Sequence, residues 1–157
     1  MTELIATYLQ DHHAGSAAGV DAFDRVAEGH GDPEVRAAVA RIAEQVREDQ
    51  KSLEQIMERV GSTVSTLKDA GSRLGEKAAR LKPNERAIAR SPLSDVVELE
   101  ALMLAVHGKL VGFEALRDLH DPRLDQSQLD ELIERAASQE AELGELRKRQ
   151  LPKLLQE

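Results

Sequence analysis

Apolar residues recur at alternating intervals of three and four along three long stretches of the chain, about residues 3–28, 33–60 and 125–150. That period puts the apolar side chains on one face of an α-helix, so each stretch predicts an amphipathic helix with one seam turned inward. The inward positions are Ile5, Leu9, His12, Ser16, Gly19, Phe23 and Val26; Val35, Val39, Ile42, Val46, Asp49, Leu53, Ile56 and Val60; and Leu129, Leu132, Ala136, Gln139, Leu143, Leu146 and Gln150.

A further stretch, from Ser91 to about Leu119, is apolar on two sides. One stripe holds Val96, Leu99, Met103, Val106, Leu110 and Phe113, and a second holds Val97, Leu104 and Val111. A helix that is apolar nearly all round is typical of the interior of a protein, so we expect this third helix to be the most buried one.

Capping residues define where these helices begin and end. Asp32-Pro33 and Ser91-Pro92 are N-cap and first-turn proline pairs, and Asp125 with Gln128 resembles a capping box. Gly29-His30-Gly31 predicts the end of the first helix, and Pro152 predicts that the fourth ends or kinks near residue 151.

Residues 62–91 form a crossover that is too long for a hairpin loop. It contains a further amphipathic stretch marked by Val64, Leu67, Leu74, Ala78 and Leu81. A crossover of this length can run along the whole bundle, which makes the second and third helices parallel. The sequence therefore predicts an all-α, up-down four-helix bundle in one domain, residues 1–157, with short connections inside two hairpins and one long crossover between them.

Composition excludes several classes of protein. The chain has no Cys, so disulfides and thiolate metal sites are excluded, and its two Phe, one Tyr and no Trp offer little for β-sandwich strands. A net charge of −8 argues against nucleic-acid binding, which needs a basic surface. We find no secretion signal and no apolar run long enough to span a membrane, and we expect a soluble cytoplasmic protein.

The charge is divided unevenly. Residues 62–91 carry seven Lys and Arg against three acidic residues, a net +4, so the rest of the chain carries −12. Such asymmetry predicts either a basic crossover lying on an acidic bundle or a contact between the crossover of one copy and the bundle of another. We expect a homo-oligomer, most simply a homodimer.

Polar residues interrupt the apolar seams near the middle of the bundle. Pairing the helices across their short connections makes His12 face Asp49 and makes Gln139 face position 106, beside His107. If the second and third helices are parallel and begin at the same height in the bundle, Asp49 lies near position 108. The sequence thus predicts a mid-bundle layer of His12, Asp49, His107 and Gln139, either a structural hydrogen-bond network or a metal or small-ligand site.

This helix arrangement, with Tyr8 and Asp11-His12-His13 in the first helix and polar groups at mid-bundle, resembles the ferritin-like superfamily and small actinobacterial proteins with the same helix order. The resemblance implies a ferritin-like bundle. Its di-iron members take one Glu from each of two helices and a Glu-x-x-His pair from each of the others.

The chain departs from that ligand set. No His follows Glu48, Asp49 or Gln139 at the required spacing, and Glu100, two turns from His107, is the only carboxylate of the right type in a plausible place on the third helix. We therefore expect no di-iron centre and no other cofactor. A single zinc or iron ion held by His12, Asp49 and His107 is the alternative.

Gly15 and Gly19 make one side of the first helix small, which we interpret as close approach of a neighbouring helix. The alternative is room for a ligand or for larger side chains of the third helix. The sequence has no recognisable nucleophile or nucleotide-binding motif, so the balance is against an enzyme. We expect a non-catalytic interaction or stress-associated protein. The alternative is a metal- or small-ligand-binding protein that uses His12, Asp49, Glu100, His107 and Gln139.

Overall fold

The computed structural model describes residues 3–62 and 90–156. This part of the chain folds into four long α-helices, α1 (Leu4–Gly29), α2 (Pro33–Arg59), α3 (Pro92–Asp118) and α4 (Gln126–Gln150), followed by a short 3-10 helix, Leu151–Leu155. No strand occurs in the described ranges, so the all-α fold class is confirmed. The amphipathic stretch predicted from Val64 to Leu81 lies outside them.

The predicted caps form at the helix N-termini. The carboxylate of Asp32 accepts a hydrogen bond from the backbone of Glu34 at 2.9 Å, and that of Asp125 accepts from Ser127 at 3.0 Å. At the start of α3 the backbone N–H of Ser91 donates to the Ser94 hydroxyl. These contacts satisfy backbone groups that no helix can satisfy for itself, which is why the boundaries lie within one or two residues of those predicted.

Each hairpin packs as a pair, α1 on α2 and α3 on α4, and the pairs meet where α1 contacts α3 and α2 contacts α4. Gly31 lies beside Asp95 at one end, and Gly112 lies beside His12 farther along, so α1 and α3 run in opposite directions. The two hairpins also run antiparallel internally. As a consequence α2 and α3 point the same way.

The inward seams of α2 and α4 match the prediction throughout, because every predicted position on both helices is buried. The apolar core nevertheless consists of two separate clusters. Phe23, Val46 and Val106 belong to the first, whereas Leu9 and Leu53 belong to the second. The interruption between them falls at mid-bundle, where polar residues and glycines occupy the seams.

The expectation that α3 is the most buried helix is wrong. Its second apolar stripe faces outward: Leu104 is 75% exposed, and Val97 and Val111 are exposed as well. A bundle helix is covered only on the side that faces its neighbours, here α1, α4 and, near the start of α3, the 3-10 helix. Among the described residues nothing covers the opposite side of α3.

None of the helices in the described part of the chain combines the length and the apolar content needed to cross a bilayer.

Candidate functional site

A buried ionic layer lies at mid-bundle between the two core clusters. The carboxylate of Asp49, on α2, is 1% exposed. Its Oδ2 accepts hydrogen bonds from Lys109 Nζ at 2.7 Å and from the Gln139 amide at 3.2 Å. Arg135 Nε lies 3.0 Å from Oδ1. A buried carboxylate is stable only when its charge is paired. Lys109 from α3 and Arg135 from α4 supply the opposite charges, while Oδ1 accepts no hydrogen bond from the described residues.

Lys109 is the residue that the sequence interpretation missed. Its ammonium group bonds Asp49 and, at 2.5 Å, the Gln139 side-chain oxygen. Burial lowers the pKa of Lys109, and Arg135 acts in the same direction, while Asp49 opposes both. The signal was present in the sequence, because Lys109 lies three residues after Val106 and four before Phe113, on the buried stripe.

His107 lies outside this layer, although the predicted register placed it inside. Its side chain is 57% exposed, and its Nδ1 lies 3.2 Å from Glu140. The observed pairing of α3 with α4 is displaced by about two residues from the predicted one, so that Lys109 rather than position 106 or 107 meets Gln139. Positions 107 and 109 lie about 200° apart around the helix axis, so His107 points outward when Lys109 points inward.

The remaining predicted residues are also separated. Glu100 is bound by Arg147 at 2.7 Å, away from the layer. His12 is half-buried and packs its ring on Tyr8, with ring centroids 4.6 Å apart. Burial lowers the pKa of His12, against a raising effect of Asp11. The structure thus brings Asp49 and Gln139 together, and it does not gather His12, Asp49 and His107 around a common point in the described residues.

A cavity of about 370 Å³ opens between α1 and α3 next to the layer. Its walls are mainly apolar, and Asp49, Lys109, His12, Gln50 and Ser16 contribute the polar groups of the interior. The residues that line it are Tyr8, Leu9, Asp11, His12, Gly15, Ser16, Gly19, Phe23, Val46, Asp49, Gln50, Leu53, Leu104, Ala105, Val106, Gly108, Lys109, Gly112, Phe113 and Leu116. This volume and this mixture of groups are typical of small-molecule sites.

Gly15 and Gly19 leave open space beside α1, and no neighbouring helix packs closely against them. A β-carbon built at either position has no neighbouring atom within 4 Å, so the close helix approach that we favoured from sequence is wrong. The close approach occurs instead on α3, where a β-carbon at Gly112 would lie 2.6 Å from Cε1 of His12. The glycines of α1 therefore widen the cavity, and the glycine of α3 admits the imidazole.

A second ionic cluster lies at the end of the bundle where α3 begins. His30, Asp95 and Glu98 form the only group of three metal-ligand side chains in the described ranges. Arg90 lies 2.8 Å from Asp95 and 2.7 Å from Glu98, and Lys153 lies 2.8 Å from Asp95. The two carboxylates are thus neutralised by two cations, which leaves no net negative charge to attract a metal ion.

Both ring nitrogens of His30 form hydrogen bonds with backbone groups. Its Nδ1 accepts a hydrogen bond from the N–H of Asp32 at 3.0 Å, so Nε2 carries the proton and donates to the Asp95 carbonyl at 2.9 Å. Both ring nitrogens are occupied by hydrogen bonds that join the α1–α2 turn to the start of α3. We therefore interpret this cluster as a structural contact that holds the two helical hairpins together.

Comparison with known proteins gives one match. A family model described as a domain of unknown function, DUF892, matches residues 1–157. The chain belongs to the DUF892 family. No curated protein and no solved structure gives a significant match. The family match covers the cavity, the ionic layer and the terminal cluster alike.

Proposed function

We propose that this DUF892 protein is a non-catalytic helical bundle that binds a small, largely apolar molecule in the cavity between α1 and α3. The observation that carries the proposal is the open space beside Gly15 and Gly19, in the gap between the two core clusters. Each mid-helix glycine costs about 1 kcal/mol of helix stability relative to alanine. Alanine would fit at both positions, so the glycines leave volume that packing does not require.

The polar groups of the cavity support binding better than catalysis. Asp49 and Lys109 are paired with each other. The Ser16 hydroxyl donates to the His13 carbonyl at 2.6 Å and accepts from Gln50 at 3.0 Å. A serine nucleophile needs a general base to take its proton, and here that proton is held by a backbone carbonyl.

A ferritin-like assignment without a di-iron centre is part of this proposal. The support for it is the helix order, with parallel α2 and α3, and the pairing of Asp49 with Lys109 and Arg135, which removes the charge that an iron pair requires. Elemental analysis of protein purified without chelators tests this. We expect less than stoichiometric metal, and one or more bound iron ions per chain would contradict the proposal.

Binding is tested with N-phenyl-1-naphthylamine, a neutral probe whose fluorescence rises in apolar surroundings. We expect saturable binding to the wild-type protein and a large loss in Gly19→Leu, whose side chain would occupy the cavity. Ala18→Leu is the matched control, because Ala18 is the exposed neighbour on the same helix and does not line the cavity. Equal probe binding by both leucine variants would overturn the proposed function.

The exposed stripe of α3 favours a second candidate function, self-association into the expected homodimer. Leu93, Val97, Leu104 and Val111 recur at intervals of four and seven and are all exposed, which is the pattern of a helix seam that pairs with another helix. The occupant would be α3 of a second copy, since a two-fold axis brings one stripe against its equal.

Sedimentation velocity tests this second candidate. We expect a dimer that dissociates in Val97→Glu, which lies on the stripe and outside the cavity, and persists in Leu155→Glu, which is exposed in the terminal 3-10 helix. A monomeric wild-type protein would contradict self-association. An interaction or stress-associated role in the cytoplasm stays a prediction.

A further inference from the structure

We propose that the cavity takes an apolar carboxylate of medium chain length, with its carboxylate at Lys109 and His12 and its hydrocarbon body along the glycine-lined wall of α1. This inference rests on the binding function proposed above. It adds the chemical class of the ligand, which follows from the size of the cavity and from the charges that face it.

The cavity sets the size of the ligand. A buried apolar space of about 150 Å³ accommodates benzene, so a space of about 370 Å³ accommodates about 15 non-hydrogen atoms. A saturated acid of about ten to twelve carbons falls in this range. The lining by Leu9, Phe23, Val106 and Phe113 matches such a hydrocarbon body.

Lys109 sets the sign of the ligand's charge. Its ammonium group has three N–H donors, and two of them are directed to Asp49 and Gln139. Asp49 pairs with Lys109 at 2.7 Å, and Arg135, which also lies against Asp49, is paired with Glu48 at 3.1 Å. A ligand carboxylate would accept the third N–H of Lys109, whereas a ligand ammonium group offers it no acceptor. The opposing acid of the cavity, Asp11, is exposed to solvent at the rim.

His12 provides the second donor. Its ring lies against Gly112, which is three residues from Lys109 and hence on the same face of α3. Burial lowers the pKa of the imidazole and so favours its neutral form, which still carries one N–H. Within the described residues its ring nitrogens make no hydrogen bond. A carboxylate oxygen between the two side chains would therefore meet one charged and one neutral donor.

Three ligands of equal length separate this inference from the function it rests on. Wild-type protein is titrated at pH 7 with decanoate, decan-1-ol and decylamine, each below its micelle concentration, by isothermal calorimetry and by displacement of N-phenyl-1-naphthylamine. Hydrogen bonds to charged groups contribute about 1.5–3 kcal/mol, so we expect decanoate to bind about ten-fold or more tighter than decan-1-ol, and decylamine to bind weakest.

The outcomes are distinguishable. If decan-1-ol binds as tightly as decanoate, or if decylamine binds tightest, the carboxylate assignment is overturned while binding in the cavity stands. If none of the three displaces the probe while Gly19→Leu still loses probe binding, the ligand class is overturned and the binding function stands. If Gly19→Leu binds the probe as well as Ala18→Leu does, the proposed function fails too. Because the comparison of the three ligands uses only wild-type protein, it does not depend on the folding of a variant.

Variants then locate the head group. We expect Lys109→Met to lose the preference for decanoate over decan-1-ol, measured as the ratio of the two dissociation constants. Lys148→Met is the matched control, because Lys148 is an exposed lysine paired with Glu145 outside the cavity, and it should keep the preference. A preference for decanoate that survives in Lys109→Met would place the carboxylate elsewhere and overturn the assignment.

Discussion

The imidazole of His12 occupies the space that a side chain at position 112 would need. A β-carbon on Gly112 would lie 2.6 Å from Cε1 and 2.7 Å from Nδ1 of His12, closer than such atoms can approach. The two residues come from α1 and α3, which are 100 positions apart in the sequence. This contact fixes the distance between the helices that form the cavity, and it explains why α3 tolerates a glycine at a buried position.

Gly112→Ala should therefore interact strongly with His12 in a double-mutant cycle. Alanine favours the helix by about 1 kcal/mol over glycine, so Gly112→Ala should stabilise a His12→Ala background. In the wild-type background the methyl group displaces the imidazole and that gain is lost. We expect a coupling of at least about 1 kcal/mol, measured by urea denaturation. Purely additive effects would show that the ring does not occupy this space.

The pKa of His12 gives an independent measurement of the same contact. Burial lowers this pKa in the wild-type protein. Displacement of the ring towards solvent in Gly112→Ala removes the burial, so the pKa should rise towards 6.5, the ordinary value of histidine. An NMR titration of the ring protons detects the change. His120, which is exposed at the end of α3, serves as the reference within the same spectrum.

Removing Lys109 should destabilise the protein more than removing both members of its ion pair. Lys109→Met leaves the buried carboxylate of Asp49 with Arg135 as its sole cation, and we expect a loss of about 2–4 kcal/mol in the free energy of unfolding. In the double variant Lys109→Met, Asp49→Asn no unbalanced carboxylate remains, and we expect at least about half of that loss to be recovered. A double variant as unstable as the sum of the two single changes would contradict this account.

Stability should fall at low pH through Asp95. Burial alone would raise the pKa of this carboxyl, but hydrogen bonds from Lys153, Arg90 and the Gly31 N–H outweigh it and lower the pKa to about 2. The folded-state pKa lies below the unfolded value of 3.8, so the contribution is complete above pH 4 and disappears as the pH falls to 2. We expect it to reach about 2 kcal/mol.

Asp95→Asn isolates that contribution. The difference in unfolding free energy between this variant and the wild-type protein should be largest near neutral pH and should shrink between pH 4 and pH 2. Asp21→Asn, at an exposed position of α1, is the control and should follow the wild-type curve. A difference that stays constant over this range would mean that the ion pairs of Asp95 do not stabilise the fold.

Alanine at the two cavity glycines should stabilise the ligand-free protein. Neither Gly15→Ala nor Gly19→Ala meets a neighbouring atom within 4 Å, so each should add up to about 1 kcal/mol by helix propensity alone. Gly144→Ala on α4 is the control outside the cavity, with an ordinary 3.6 Å contact to Met103. Thermal denaturation measures all three. Destabilisation by Gly15→Ala or Gly19→Ala alone would restore the close-packing interpretation.

Local signals in the sequence predict most of the fold. The caps at Asp32, Ser91 and Asp125 and the complete seams of α2 and α4 depend on residues close in the chain, so periodicity and capping chemistry are sufficient to find them. The approximate position of Asp49 and Gln139 along the bundle axis can also be predicted from the sequence, because short connections allow few registers between paired helices. The sequence does not show which residue of α3 enters the polar layer. An error of two residues in the pairing of α3 with α4 is enough to select His107 in place of Lys109.

The helices, their ends, their order and the polar interruption at mid-bundle were determined by the sequence itself, because each depends on the period of side chains along one helix. Tertiary structure decided which side of α3 is covered, which cation meets Asp49 and whether the glycines of α1 lie against a helix or a cavity. Those outcomes depend on the rotation and spacing of one helix relative to another. Both are set by packing between residues such as His12 and Gly112, far apart in the chain, and no periodicity within a single helix records them.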